Sequence, residues 1–427
     1  MREGMPEDVS QLVDRRMALA REWDDLVERV RELDGFVDFL RPPSMERMLP
    51  AAGGGPVVIV NVSEWRCDAL LVRPEGVTVR PLTGLTVQDA ADQANRYLGA
   101  LAEAETTADT YETARRRVRA TGTMADRQTA YRAQRALDEA RAATETMLTE
   151  LLAWLWDTIA EPVLSELGFH GTPDGPWPRL WWCPTGPLTL LPLHAAGRHE
   201  QRATVMDRVV SSYTPTLRAL LKAREPLGPA AGDDRFLIVA LADTPGERPL
   251  AGVADEVDLL TRLFPATLLQ GEEAIRARVR RELPGHRWVH FSCHGDQNLA
   301  DPSQGGLVLH DDMLTITDIS TGQYHAEFAG LSACKTATGG VDLLDEAITL
   351  AAALHYTGFR HVIGTLWSVY DTTGTSDLFQ TVYQDLAADG RMRAERSAYA
   401  LHRATRALRD RYLGTPSVWT PFTHTGP

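Results

Sequence analysis

The fold is indicated by a stretch near residue 290, Trp288-Val-His-Phe-Ser-Cys-His-Gly-Asp (288–296). Its first half is mostly apolar and aromatic, and small or polar residues follow at once. This pattern is typical of a buried strand of a parallel sheet that ends in a functional loop. A second stretch of the same kind, Phe328-Ala-Gly-Leu-Ser-Ala-Cys (328–334), lies 40 residues later. We therefore predict two strands that can be neighbours in one sheet.

Strands and helices alternate on both sides of these two stretches. Strands are predicted at 236–241, 267–269, 288–293, 328–333 and 360–367, and helices at 251–264, 272–282, 344–357, 373–388 and 393–412. A small hairpin is predicted around 306–316. This alternation indicates an α/β layer fold with a mostly parallel sheet.

The first part of the chain has a different pattern. Strands are predicted at 57–62, 68–72, 77–82, 179–184 and 205–213, and helices at 8–33, 87–119, 124–147, 148–167 and 216–223. The second and third strands are expected to pair antiparallel with the first. Gly122 is expected to interrupt the long helical stretch, so that the residues at about 87–167 form a helical hairpin. The linker at 225–234 suggests a division into an N-terminal helical segment (1–40), a first half (41–224) and a second half (233–427).

Composition limits the class of protein. The chain has 427 residues and a formal net charge of −14, which disfavours a nucleic-acid partner or an anionic membrane surface. The beginning of the chain lacks a signal-peptide core, and no apolar run reaches the roughly 18–20 residues of a membrane span. The four cysteines show no disulfide spacing, so we expect reduced thiols and a cytoplasmic location.

A cysteine and a histidine follow the two key strands. His294 and Cys334 are expected at the carboxyl ends of neighbouring strands, where functional groups of parallel sheets gather. A thiolate nucleophile beside an imidazole is the pair that a cysteine peptidase needs. The backbone N–H groups of Gly295 and Cys334 could then form an oxyanion hole.

Both segments resemble the His-Gly and Ser-Ala-Cys motifs of the CHAT family of caspase-like (clan CD) peptidases, relatives of caspases and separases. Further matches follow the family's order and spacing over about residues 56–427. They are Pro184-Thr-Gly-Pro-Leu-Thr-Leu-Leu-Pro-Leu-His, Ser212-Tyr-Thr-Pro-Thr-Leu, Leu250-Ala-Gly-Val-Ala-Asp-Glu-Val, Gly364-Thr-Leu-Trp-Ser-Val-Tyr-Asp and Trp419-Thr-Pro-Phe.

The resemblance implies a caspase-like three-layer sandwich at 233–427, docked on a degenerate, non-catalytic first half. His294 would be the general base and Cys334 the nucleophile of an endopeptidase that cleaves a protein substrate. The family also implies activation by a partner, sensor or ligand, and a role in antiphage defence or programmed cell death. The chemistry requires no cofactor.

Several candidate residues retain two interpretations. Asp296 either orients the imidazole or stabilises a turn, and Trp367 either lines a pocket or packs in the core. Four acids could line a substrate pocket that favours Arg or Lys, or could be solvated loop and helix residues. These acids are Asp342, Asp345, Glu346 and Asp371.

Two other site or function classes compete with the peptidase. A zinc site of His290, Cys293, His294 and Cys334 is disfavoured, because structural zinc ligands usually come in tight pairs on loops. Alternation along the strand places His290 and His294 on one face and Cys293 on the other, which suggests a packing role for His290 and Cys293. A non-catalytic interaction module is the second alternative, and a peptidase that stays inactive until a partner binds is the third.

Overall fold

The computed structural model describes residues 9–33, 39–41, 43–227, 233–296, 301–332, 349–367, 372–388 and 391–427. The chain divides into two units, Met1–Pro50 and Ala51–Pro427. The first unit contains helix α1 (Val9–Arg31), as predicted, and the short helix α2 (Met45–Met48).

The helices of the second unit are α3 (Val87–Thr121), α4 (Met124–Leu155), α5 (Glu161–Glu166), α6 (Leu217–Arg224), α7 (Val253–Leu263), α8 (Arg276–Glu282), α9 (Ile316–Ser320), α10 (Leu350–Thr357), α11 (Thr372–Leu386) and α12 (Ser397–Arg411). The central sheet contains β1 (Val57–Asn61), β2 (Asp68–Arg73), β3 (Gly76–Pro81), β4 (Arg179–Pro184), β7 (Val210–Tyr213), β8 (Asp233–Ala240), β9 (Ala266–Gln270), β10 (His286–Ser292), β14 (Ala326–Leu331), β15 (Phe359–Thr365) and β18 (Phe422–Thr425). Short strands outside it are β5 (Gly197–Arg198), β6 (Ala203–Thr204), β11 (His294–Asp296), β12 (Gly306–Val308), β13 (Met313–Thr315), β16 (Ala387–Ala388) and β17 (Arg391–Met392).

The central sheet is continuous and mostly parallel. Within the described residues its order is β3-β2-β1-β4-β7-β18-β15-β14-β10-β8-β9. Strand β2 pairs antiparallel with β1, as predicted, but β3 pairs antiparallel with β2 at the edge of the sheet and not with β1. Strand β18 lies antiparallel to β15 and parallel to β7, so the end of the chain joins the two parts of the sheet. The predicted α/β class is confirmed.

Helices cover both faces of the sheet in its C-terminal part. Side chains of Trp288 and Phe328 pack against α7, α11 and α12 on one face. On the other face, Val289 and Phe291 pack with residues of α8, α9 and α10. Successive residues of a strand point to opposite faces, so the buried apolar residues of β10 contribute to two cores. The three-layer arrangement follows from this double burial.

The predicted helical hairpin is present as α3 and α4. The hydroxyl of Thr86 accepts a hydrogen bond from the Asp89 N–H at the start of α3, and Thr123 caps α4 in the same way. Between the helices, Gly122 adopts a left-handed conformation (φ 65°), which ends α3. Tyr97 and Leu148 anchor the hairpin in the core beneath β1 and β4.

The predicted strand at 205–213 is wrong in its first half. Residues Val205–Asp207 form a 3-10 turn, and the strand begins only at Val210. The turn forms because the Thr204 hydroxyl accepts from the Asp207 N–H, which caps it locally. The Asp207 carboxylate is also held by a buried guanidinium, that of Arg409. The apolar pattern of the sequence indicated neither the Thr204 cap nor the contact with Arg409, and it therefore predicted a strand.

Candidate active site

The strands that precede the predicted dyad are adjacent and level with each other. Strands β10 and β14 pair in parallel, with Trp288 opposite Phe328 and Phe291 opposite Leu331, a constant offset of 40 residues. The same offset separates His294 from Cys334 in the sequence. The two segments therefore leave the sheet from neighbouring strands at the same height.

His294 is held by a backbone carbonyl. Its Nε2 lies 2.6 Å from the carbonyl oxygen of Arg248, in the loop before α7, and its side chain is half-buried. A carbonyl oxygen only accepts, so Nε2 carries the proton and donates it. The other ring nitrogen, Nδ1, then has a lone pair that can accept a proton. Sequence reasoning missed this partner, because a backbone carbonyl has no signature in the sequence.

Contrary to the prediction, His294 does not lie on the same strand as His290. Strand β10 ends at Ser292, and His294 begins β11, which pairs antiparallel with β12. Gly295 lies opposite Leu307, and Asp296 lies exposed opposite Gly306. Cys293 is buried in the core on the α8 and α10 side, and His290 faces the α11 side, which agrees with the predicted alternation of these two residues.

A buried carboxylate lies beneath the carboxyl ends of β10 and β14. Glu256 of α7 is 5% exposed. Its Oε2 accepts from the Ser292 hydroxyl at 2.5 Å and contacts His290 Nε2 at 2.9 Å. Its Oε1 accepts from the Ser332 hydroxyl at 2.7 Å. One side chain thus contacts both strands that lead to the dyad.

The network extends from His290 to Tyr383 of α11. The Tyr383 hydroxyl lies 2.7 Å from His290 Nδ1. Burial, and then the nearby Glu256, raise the pKa of Tyr383 well above its ordinary range, so the phenol keeps its proton. A Cβ on Gly330 would overlap the Tyr383 hydroxyl and approach His290 Nδ1 to 3.0 Å, so only glycine leaves room here.

Of the other six predicted site residues, Trp367 alone lies within the described residues. Trp367 is 3% exposed and meets Tyr97 edge to face, with ring centroids 5.4 Å apart, which supports the packing interpretation. Five others lie outside the described residues. They are Cys334, Asp342, Asp345, Glu346 and Asp371.

Across the part of the chain that the structure describes, no three His, Cys, Asp or Glu side chains are grouped to hold a metal ion. In that same part, none of the helices combines the length and the apolar character needed to cross a bilayer.

Comparison with known proteins identifies the relatives of this chain. The CHAT domain family model matches residues 149–427. The crystal structure of the separase–securin complex of Saccharomyces cerevisiae is similar in fold, with a TM-score of 0.56 over 90% of this chain at 12% sequence identity. The match spans about a third (31%) of that solved chain. No curated protein matches. The chain therefore belongs to the CHAT domain family and has the caspase-like fold that the sequence predicted.

Proposed function

We propose that this chain is a cysteine endopeptidase that hydrolyses a peptide bond of a protein substrate through an acyl-thioester. The observation that carries the proposal is the hydrogen bond from His294 Nε2 to the Arg248 carbonyl oxygen. It leaves Nδ1 as the basic nitrogen, on a segment that leaves the sheet level with the segment that bears Cys334. A base held in one tautomer by a third group is the arrangement that activated nucleophiles need.

The first chemical step would be proton transfer from the Cys334 thiol to His294 Nδ1. The imidazolium that forms is stabilised by the Arg248 carbonyl dipole, which accepts the Nε2 hydrogen bond in both protonation states. The thiolate then attacks the scissile carbonyl carbon. In this proposal the backbone N–H groups of Gly295 and Cys334 stabilise the oxyanion.

The second half of the reaction would return the enzyme to its starting state. His294 donates its Nδ1 proton to the departing amine, which leaves an acyl-thioester on Cys334. A water molecule, deprotonated by His294, attacks that thioester and releases the acid product and the thiol. Atoms and charges balance without a metal or an organic cofactor.

The proposal is tested by digestion of a peptide library, with products identified by mass spectrometry. We expect the wild type to cut and Cys334→Ala to be inactive. Cys293→Ala is the matched control, because Cys293 is a buried thiol one residue before His294 on the opposite face. Equal cutting by Cys334→Ala and wild type would refute the proposed nucleophile.

The cut sites would also test the proposed substrate pocket. Cleavage after Arg or Lys would favour acidic lining, because a carboxylate pairs with these side chains. Charge reversal of each proposed acid should then weaken cleavage after Arg or Lys and spare other sites. The candidates are Asp296, Asp342, Asp345, Glu346 and Asp371.

We also propose that a protein partner or sensor controls the activity, in the cytoplasm and in the setting of antiphage defence or programmed cell death. The support is family membership and a fold shared with separase, which was solved in complex with securin. Limited proteolysis with and without a candidate partner would test the control. Unchanged cleavage patterns with every partner tried, together with full activity of the chain alone, would contradict it.

A further inference from the structure

We propose that Glu256 is a positioning residue, which holds the two strand ends that lead to His294 and Cys334 at the spacing the reaction requires. This inference rests on the proposed peptidase activity and adds a role for a residue that touches neither the substrate nor the reacting atoms.

The first support is the bridge itself. The two carboxylate oxygens of Glu256 accept from different strands, Oε2 from Ser292 at the end of β10 and Oε1 from Ser332 after β14. Ser292 lies two residues before His294, and Ser332 lies two residues before Cys334. A displacement of either strand end must therefore break a hydrogen bond to the same carboxylate.

The second support is the place of this bridge in the sheet. The Ser332 N–H donates to the Phe291 carbonyl at 2.9 Å, so backbone pairing of the two strands extends to this level. Glu256 binds the two segments at the point where they leave the sheet towards the candidate site. A rigid carboxylate at that point limits the relative motion of the two segments beyond it.

The third support is that further side chains hold the Glu256 carboxylate in place. The two ring nitrogens of His290 contact both groups, Nε2 the Glu256 Oε2 at 2.9 Å and Nδ1 the Tyr383 hydroxyl at 2.7 Å. The rings of His290 and Phe379 pack edge to face, with centroids 5.3 Å apart. Side chains that are locked by packing and by hydrogen bonds hold a site far better than exposed ones.

Burial makes a purely stabilising role a poor explanation. A buried carboxylate loses its hydration, and apolar replacements of buried ionic groups are often neutral or stabilising. Three polar side chains around Glu256 offset that loss but do not require a charged residue in a core between apolar helices. A positional requirement accounts for the carboxylate and for its two serine partners.

The same pair of strands provides a matched control at its other end. Glu327 of β14 accepts from the Trp288 indole N–H at 2.8 Å and pairs with Arg287, so it also joins β10 to β14. This second carboxylate bridge lies near the amino ends of the strands, remote from His294. Loss of either bridge should cost stability, but only loss of the Glu256 bridge should alter the chemistry.

The experiment compares Glu256→Gln, Ser332→Ala and Glu327→Gln with the wild type in three measurements. These are thermal unfolding, kcat and KM on a peptide identified from the library, and the pH profile of Cys334 alkylation by iodoacetamide. For Glu256→Gln we expect kcat to fall about 100-fold with KM nearly unchanged, because small misplacements of reacting groups can cost that much. The alkylation profile should shift to higher pH, because the imidazole no longer stabilises the thiolate.

Ser332→Ala removes one arm of the bridge and should have a smaller effect of the same kind. In a Glu256→Gln background it should add almost nothing, since residues of one network are not additive. Glu327→Gln should lower the unfolding temperature and leave kcat and the alkylation profile unchanged. If Glu256→Gln does not fold, Ser332→Ala carries the same test.

Two failures can be told apart. A folded wild type that neither cuts peptides nor shows an alkylation rate dependent on His294 would refute the peptidase itself. A wild type that cuts, beside folded Glu256→Gln and Ser332→Ala variants with wild-type kcat and pH profile, would refute the positioning role alone.

Discussion

Each of the two parts of the sheet carries a histidine near the ends of parallel strands, but the two histidines differ in burial. In the N-terminal part, Cys183 of β4 is buried and its thiol donates to the Pro215 carbonyl at 3.5 Å. Burial raises the pKa of Cys183 to about 12. His194, in the turn that follows, is also buried, and burial lowers its pKa to about 4. In the C-terminal part, His294 is half-buried and its Nε2 contacts the Arg248 carbonyl oxygen.

This comparison shows that residue types alone do not create an active site. At neutral pH the Cys183 thiol stays protonated and the His194 imidazole stays neutral, so neither supplies a nucleophile or an acid. The Tyr213 hydroxyl also contacts His194 Nδ1 at 3.0 Å, which occupies the nitrogen that a base would use. Cys183 and His194 of the N-terminal part therefore cannot act as a second copy of the proposed dyad.

The largest effect on activity is expected from matched replacements of His294 and His194. They test directly whether the two parts of the sheet differ. His294→Gln removes the proposed base, and we expect kcat/KM to fall about 100-fold to 10,000-fold, the range of general acid–base catalysis. His194→Gln should leave kcat/KM of the folded enzyme unchanged. The measurement is peptide hydrolysis at pH 7.5. A similar loss in both variants would show that the two parts of the sheet share the chemistry.

The next largest effect is expected on stability, at a buried ion pair that joins the two parts of the sheet. Arg409 of α12 is 1% exposed and binds the Asp207 carboxylate of the N-terminal part through two hydrogen bonds of 2.9 Å. Removal of Asp207 leaves the buried Arg409 guanidinium with the half-exposed Asp410 carboxylate at 3.2 Å, so Asp207→Ala should lower the free energy of unfolding by about 3 kcal/mol, the lower end of the range for a broken buried pair. Kinetic parameters should not change at temperatures where the variant stays folded. Urea unfolding and peptide hydrolysis together check this prediction.

An exposed ion pair provides the control for Asp207. Asp157 pairs with Arg198 at 2.5 Å, with side chains 49% and 45% exposed. Asp157→Ala should cost only about 0–1 kcal/mol, because solvent screens such pairs. Equal stability of the two alanine variants would show that the buried Asp207–Arg409 pair does not hold the two parts of the sheet together.

Another small effect is expected in the pH dependence of stability. The folded-state pKa of His194, about 4, lies below the ordinary value of 6.5. The unfolded chain therefore binds the extra proton first, and stability is lost as the pH falls from about 6.5 towards 4. At pH 5.5 this histidine should account for about 1 kcal/mol of the loss. The wild type should lose that much more than His194→Gln between pH 7.5 and pH 5.5 in urea unfolding, and equal losses would contradict the burial argument.

Much of the framework could be predicted from local sequence patterns. The apolar runs at 288–292 and 328–331 identified adjacent strands, and the break at Gly122 identified the hairpin. These features follow from side-chain periodicity and backbone preference, which act over a few residues. The positions of His294 and Gly295 after the strand were predicted for the same reason. The division into halves at 225–234 stays a prediction.

Strand β18 shows where local patterns fail. Its sequence, Phe422-Thr-His-Thr, has no apolar run, yet all four residues are buried in the middle of the sheet. The polar groups are satisfied across the sheet, for example by a 2.7 Å contact between His424 Nδ1 and the Ser212 hydroxyl. Burial of polar side chains depends on partners 200 residues away in the sequence, and no local pattern contains them.

Local sequence patterns were sufficient to indicate the α/β class, the adjacent strands and the residue types that make a cysteine peptidase conceivable, because these features act over short range. The tertiary structure was needed to bring the Arg248 carbonyl to His294 and the Glu256 carboxylate to both strand ends. It also decided that Cys183 is buried and inert. These outcomes depend on desolvation and on hydrogen bonds between distant segments, which exist only once the chain has folded.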